Sequence, residues 1–217
     1  MLFFLTLLAC QDLVDSDKFT GGHLQAVGDS FLDWNIDSGQ SIPEQVGELL
    51  SMEVQNNAIG GSLFSDEDHG EDIRAQYESN DSAWVLMTGG GNDLNDECGC
   101  GDCAENIDGM ISTDGSEGDI PRFINRVRSE GPNVVILGYY NIPEEADDFM
   151  GCEDELEVLA TRYEQLTSQT DGVIFVDGRD FITFDEQVDA YDSDFVHPSV
   201  EGGRILSEAV ANALSQF

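Results

Sequence analysis

Positive charge is nearly absent from this chain. Its 217 residues carry 45 acidic side chains against 8 Lys and Arg, a formal charge of −37, and Lys18 is the sole lysine. A field of that sign repels nucleic acid and anionic membrane surface, which excludes polyanionic partners. It also disfavours strongly anionic substrates unless salt or a cation screens them. Histidine is scarce too: His23, His69 and His197 are all there is. Any chemistry that needs an imidazole must choose among three. Internal repeats are missing, and so is any sign of a second domain. Disorder is not the reason for the acidity, because 40% of the residues are hydrophobic and they recur throughout. The acid excess reads as a solvated surface, such as proteins adapted to salty surroundings carry. The length fits one α/β domain with a full core, or a domain plus a short tail.

Residues 1–10, Met-Leu-Phe-Phe-Leu-Thr-Leu-Leu-Ala-Cys, are apolar but too short to span a bilayer. They read as the hydrophobic part of a secretory signal. Leu7-Leu8-Ala9-Cys10 resembles a bacterial lipobox, in which Cys10 is lipidated after cleavage. Leu8 is a less usual occupant of its place. No basic residue precedes the run, as if the true start lay upstream. The alternative is a ragged apolar terminus with a buried cysteine. Residues 11–22 are polar, end in glycine and read as a tether to a domain over 23–217.

Within that domain, apolar runs alternate with helical periodicity. Strands are predicted at Leu24–Gly28, Glu53–Asn57, Ser82–Thr88, Val134–Tyr139 and Val173–Val176. Ile42, Val46, Leu49 and Leu50 share a helical face, with Ser41 as N-cap. Further helices are marked by Ile120 to Val127, by Leu156 to Leu166, and by Leu206 to Phe217. Continuous apolar strands between helices imply a parallel sheet covered on both faces. Right-handed crossovers then bring the ends of the strands to one edge. The long connection from Asn92 to about Gly118, with a Cys-rich part over about 95–118, exceeds an ordinary loop.

Gly28-Asp29-Ser30 closes the first strand, where a serine can point into the crevice beyond the strand ends. By itself the triplet is an ordinary turn. His197 lies in Asp194-Phe195-Val196-His197-Pro198, just before the terminal helix. That spacing lets Asp194 fold back on the imidazole Nδ1 and leaves Nε2 free for Ser30. Ser199 can then cap the helix. His23 sits at the far end of its strand and His69 in an acidic loop, so both read as structural or solvated. Gly60-Gly61 follows the second strand, where a backbone N–H can approach a ligand. Asn92 follows the glycines of the third strand, and its amide can donate to an oxyanion.

The blocks Gly28-Asp29-Ser30, Asn56-Asn57-Ala58-Ile59-Gly60-Gly61, Gly90-Gly91-Asn92-Asp93 and Asp194-Phe195-Val196-His197 stand in one order. In that order they resemble the SGNH (GDSL-type) hydrolases, from about Leu24 onward. The resemblance implies a three-layer, flavodoxin-like α/β fold with a five-stranded parallel sheet. It implies Ser30 as nucleophile, His197 as acid–base and Asp194 as its orienting acid. The Ser30 N–H, the Gly61 N–H and the Asn92 side chain would form the oxyanion hole. Asp93 is expected to buttress its loop rather than react. The expected activity is hydrolysis of short acyl or acetylated carbohydrate esters, by a monomer, with no cofactor and no metal. Membrane contact would be confined to lipidated Cys10. The rival expectation is a non-catalytic surface lipoprotein that binds carbohydrate or protein on the same fold.

Cys98, Cys100, Cys103 and Cys152 depart from the family pattern. In an exported chain they suit two disulfides with three possible connectivities. A Cys₄ zinc site is the alternative, though Cys-x-Cys-x-x-Cys is not the usual pair of zinc knuckles. Calcium on the neighbouring carboxylates lacks the spacing of a known loop. The insertion is expected to shape the substrate crevice.

Overall fold

The computed structural model describes residues 22–65, 72–146 and 148–217. The signal and lipobox with Cys10, the tether up to residue 21, and His69 lie outside them. Five strands form one parallel sheet: β1 (His23–Val27), β2 (Glu53–Asn56), β3 (Ser82–Met87), β4 (Asn133–Leu137) and β5 (Val173–Val176). Their order is β2-β1-β3-β4-β5. This is the doubly wound order whose switch point falls between β1 and β3, where ligands bind beyond the strand ends. The helices are α1 (Ser30–Asp33), α2 (Ile42–Leu50), α3 (Gly91–Cys98), α4 (Ala104–Met110), α5 (Asp119–Glu130), α6 (Glu153–Gln169) and α7 (Val200–Gln216).

Strand side chains alternate between two cores, as the pleat requires. Trp84 and Leu86 of β3, with Val135 and Leu137 of β4, face α2 and α7. Val85 and Met87, with Val134 and Ile136, face α5 and α6. Both faces are dry, which is why these strands read as unbroken apolar runs. Leu86 is completely buried; truncation to Ala there would cost about 2–5 kcal/mol.

Three expectations need correction. Leu49 is 48% exposed, while Ile42, Val46 and Leu50 are buried. The buried stripe of α2 is narrower than the apolar pattern. Ser41 precedes α2 but makes no capping bond; its hydroxyl instead accepts from Asn56 Nδ2 at 3.2 Å. The long connection after Asn92 is not a loop, since α3 and α4 occupy much of it. Leu94, Ile107 and Met110 supply their buried positions. At the terminal helix, Ser199 does cap, its Oγ accepting from the Gly202 N–H at 3.1 Å.

Candidate active site

β1 ends against β3. A Cβ on Gly28 would lie 2.8 Å from Thr88 Cγ2, so only glycine fits there. Asp29 then caps α1, its Oδ1 accepting the Phe31 N–H at 3.0 Å. Ser30 is the first residue of α1, so its N–H has no intrahelical partner.

The structure brings Ser30, His197 and Asp194 into one chain of hydrogen bonds. His197 Nε2 lies 2.8 Å from Ser30 Oγ, and His197 Nδ1 lies 2.7 Å from Asp194 Oδ2. Asp194 is itself fixed, because its Oδ1 accepts the N–H groups of Val196 at 2.9 Å and His197 at 3.0 Å. Partial burial pushes the Asp194 carboxyl up. Those backbone donors and the His197 ring outweigh it and hold the pKa below its ordinary value. The carboxylate is therefore ionised at neutral pH and favours a proton on Nδ1.

The predicted oxyanion donors are grouped less uniformly. Asn92 is the second residue of α3, not a turn residue, and shares the cavity wall with Ser30. Its Nδ2 donates to the Ser62 carbonyl at 3.0 Å, which uses one of two amide hydrogens. Gly61 stands third in a turn closed by the Ser62 N–H on the Ile59 carbonyl at 3.2 Å. Its φ of +83° is the value that a type II turn demands at that place. The glycine brought against Ser30 is Gly60, where a Cβ would lie 3.6 Å from Ser30 Cβ. The Gly60 N–H donates to Asp33 Oδ2 at 3.2 Å.

Asp93 is a buttress, but not through its own turn. Both carboxylate oxygens accept from Phe64 N–H, at 3.0 and 3.1 Å, and Oδ1 also takes the Ser65 N–H at 2.8 Å. It thus ties α3 to the loop after β2. His23 is paired with Glu53 and Asp81 at the far end of β1, away from Ser30.

Several residues passed over in the sequence complete the site. Gln76 is buried and clamps two stretches. Its Oε1 accepts the Gly28 N–H at 2.7 Å, and its Nε2 donates at 2.9 Å to both the Gly28 carbonyl and Ser62 Oγ. Tyr139 donates to Asp29 Oδ2 at 2.5 Å and accepts the Gly91 N–H at 3.1 Å. Burial, then the Asp29 carboxylate, push the Tyr139 phenol well above its ordinary range. Burial also pushes Asp29 up, against its bonds from Tyr139 and Phe31. Trp34 stacks on His197. Gln76 has no local signal. Trp34 has one, standing four residues after Ser30 and hence one helical turn on.

Beside Ser30 lies a cavity of about 20 Å³. Its apolar wall includes Phe31, Ile142, Phe149, Leu156 and Val196. Phe149 has φ +63°, a left-handed conformation that a bulky residue adopts only under imposed constraint. Three residues on, Cys152 leads into α6. The four cysteines meet as two pairs, Cys98 with Cys103 and Cys100 with Cys152. Their Cα separations of 5.3 and 4.6 Å fall within the range of a disulfide. Among the described residues, no group of three or more His, Cys, Asp or Glu is arranged to hold a metal ion.

A model of the GDSL-like lipase/acylhydrolase family matches residues 26–205. No curated protein matches the sequence. Solved structures share the fold. One is a proposed SGNH hydrolase from Slackia heliotrinireducens, at 18% identity over 90% of this chain and 100% of that one, TM-score 0.64. Another is a catalytic mutant of an acetylxylan esterase from Geobacillus stearothermophilus, at 19% identity over 88% and 93%, TM-score 0.60. A third is a proposed arylesterase from Agrobacterium tumefaciens, at 17% identity over 90% and 99%, TM-score 0.62.

Proposed function

Because the chain belongs to the GDSL-like lipase/acylhydrolase family, hydrolases of ester bonds, we propose that it is a serine esterase for short acyl groups, acetylated carbohydrates among them. The observation that carries this reading is the continuous hydrogen-bond chain from Ser30 through His197 to Asp194. His197 Nε2 takes the Ser30 proton as Oγ bonds to the ester carbonyl carbon. The electron pair of the C=O moves to oxygen, which the Ser30 N–H, the Gly61 N–H and an Asn92 N–H receive. The C–O bond to the alcohol breaks as His197 returns the proton to the departing oxygen. Water, deprotonated by His197, then attacks the acyl-enzyme and releases the acid and Ser30. Asp194 holds Nδ1 throughout and stabilises the imidazolium.

The cavity supports the short acyl group. Its small size and its apolar wall of Phe31, Ile142, Phe149, Leu156 and Val196 suit a short acyl chain better than a sugar ring. The alcohol portion would extend outward, and the chain's formal net charge of −37 favours a neutral one. The fold shared with an acetylxylan esterase agrees with an acetylated carbohydrate.

Export through residues 1–10, lipidation of Cys10, and disulfides Cys98–Cys103 and Cys100–Cys152 belong to the same reading. An oxidising compartment is where such bridges persist. The decisive experiment labels the protein with a fluorophosphonate and assays p-nitrophenyl acetate. The reading expects an adduct on Ser30 and loss of turnover in Ser30→Ala. Full turnover in Ser30→Ala would reject it. Mass spectrometry of the mature N-terminus tests lipidation at Cys10.

A further inference from the structure

Trp34 closes α1, its N–H donating to the Ser30 carbonyl at 2.8 Å. Its indole lies flat on the His197 imidazole, with ring centroids 3.8 Å apart and planes 4° from parallel. The Nε1–H at the edge of the indole donates to Asp192 Oδ2 at 2.9 Å. The Asp192 N–H in turn donates to the His197 carbonyl at 2.8 Å. One loop thus grips the edge of the indole while its own histidine is covered by the face. The carboxylates acting on His197 are Asp194 at Nδ1, Asp192 behind the indole edge, and Asp29 ahead of Ser30.

Packing alone does not require an aromatic ring there. A leucine would fill space and keep water away. What distinguishes this contact is that one of the two rings gains a charge during the reaction. When His197 takes the Ser30 proton it becomes a cation facing the indole. An aromatic face attracts a cation within about 6 Å of its centroid, and Trp does so best. The bond from Nε1–H to a carboxylate polarises the indole further in that direction.

We propose that Trp34 is a positioning residue that stabilises the protonated His197 of the transition state through the face of its ring. This rests on Ser30 and His197 being nucleophile and base. The neutral imidazole gains mainly contact from the stack. The effect is therefore larger in the transition state than in the bound substrate, and it falls on kcat rather than KM.

The test uses the full chain and p-nitrophenyl acetate, with kcat, KM and a pH profile for Trp34→Phe and Trp34→Leu. We expect kcat to fall about tenfold in Trp34→Leu and less in Trp34→Phe, with KM nearly unchanged. The acid limb of kcat/KM should move to lower pH in the order Trp, Phe, Leu, since a less stabilised imidazolium gives up its proton sooner. Equal kcat values for Phe and Leu, with an unmoved acid limb, would overturn the proposal. A probe that leaves the shape intact is fluorinated tryptophan in a Trp84→Phe background, where Trp34 is the sole tryptophan left. Log kcat should fall stepwise with each added fluorine; a flat response overturns the proposal. An inactive wild type, or one indifferent to Ser30→Ala, would sink the underlying esterase reading as well. An active, Ser30-dependent wild type whose Trp34 variants match it would sink this inference alone.

Discussion

The two walls of the Ser30 crevice are built by different means. On one side, hydrogen bonds do the holding. Residues 30–35 reach the opposing loops four times: Ser30 to His197, Asp33 to Gly60, Trp34 to Asp192 and Asn35 to the Pro198 carbonyl. On the other side, Ile142, Phe149 and Leu156 form an apolar surface, and Cys152, paired with Cys100, stands three residues after Phe149. Hydrogen bonds fix direction as well as distance, and reacting atoms need both. Apolar contact fixes only volume, which is what acyl length requires. On the proposed esterase reading, the first wall would govern whether bonds break, and the second which acyl groups reach them.

Substitutions can separate the walls. His197→Ala should reduce kcat/KM on p-nitrophenyl esters by at least ~10⁴-fold, for acetate and butyrate alike. A loss confined to one chain length would contradict the division. Asn92→Ala should cost about 10²–10³-fold in kcat, again without regard to acyl length. An unchanged kcat would remove Asn92 from the oxyanion site. Phe149→Ala should act differently, raising the butyrate-to-acetate ratio of kcat/KM about tenfold or more while fluorophosphonate labelling of Ser30 persists. If the ratio stays put, Phe149 is not the end of the acyl pocket. Replacing Cys100 and Cys152 by Ser should lower unfolding stability by about 2–4 kcal/mol, read from urea midpoints. No change under oxidising conditions would argue that the bridge does not form.

The smallest expected effect is one of pH, and it has opposite signs at two carboxylates. Asp29 is raised by burial. Its contribution to stability is complete below the unfolded value of about 3.9 and is lost as pH rises through the folded value. Asp194 is lowered. Its contribution is complete above about 3.9 and is lost as pH falls through the folded value. Between pH 3 and 7, Asp29→Asn should therefore gain on the wild type as pH rises, and Asp194→Asn should fall behind. Parallel midpoint curves for the two variants would show that neither carboxylate is linked to folding in this way.

The two walls also differ in how far the sequence reveals them. Ser30, His197 and Asp194 are legible because their work is done by short local patterns: a turn after a strand, and an acid three residues before a histidine. The parallel sheet is legible because strands buried on both faces are apolar without interruption. Leu49 misleads because apolar side chains also occur on surfaces, so a periodic pattern overstates the buried stripe. Gln76 and Tyr139 are invisible for another reason. Each acts on a partner far along the chain: Gln76 on Gly28, 48 residues away, and Tyr139 on Asp29, 110 away. The insertion shows its cysteines but not their pairing, since that follows from how α3 meets α4 and how the turn after α3 lies against the start of α6. Asp93 is legible as a buttress, but the Phe64 and Ser65 N–H groups it supports lie 29 and 28 residues away, outside its own turn.

Ser30 and His197 touch across 167 residues of chain. That separation has a consequence for the time course of synthesis. A growing polypeptide exposes its serine early, but it holds no base until nearly the whole domain has been made. On the proposed reading, reactivity would appear only once α7 has packed against α2 and the histidine loop is in place. Fragments released before that moment would be inert toward esters and toward fluorophosphonates. Labelling of stalled nascent chains would therefore report completion of the fold without a separate folding probe.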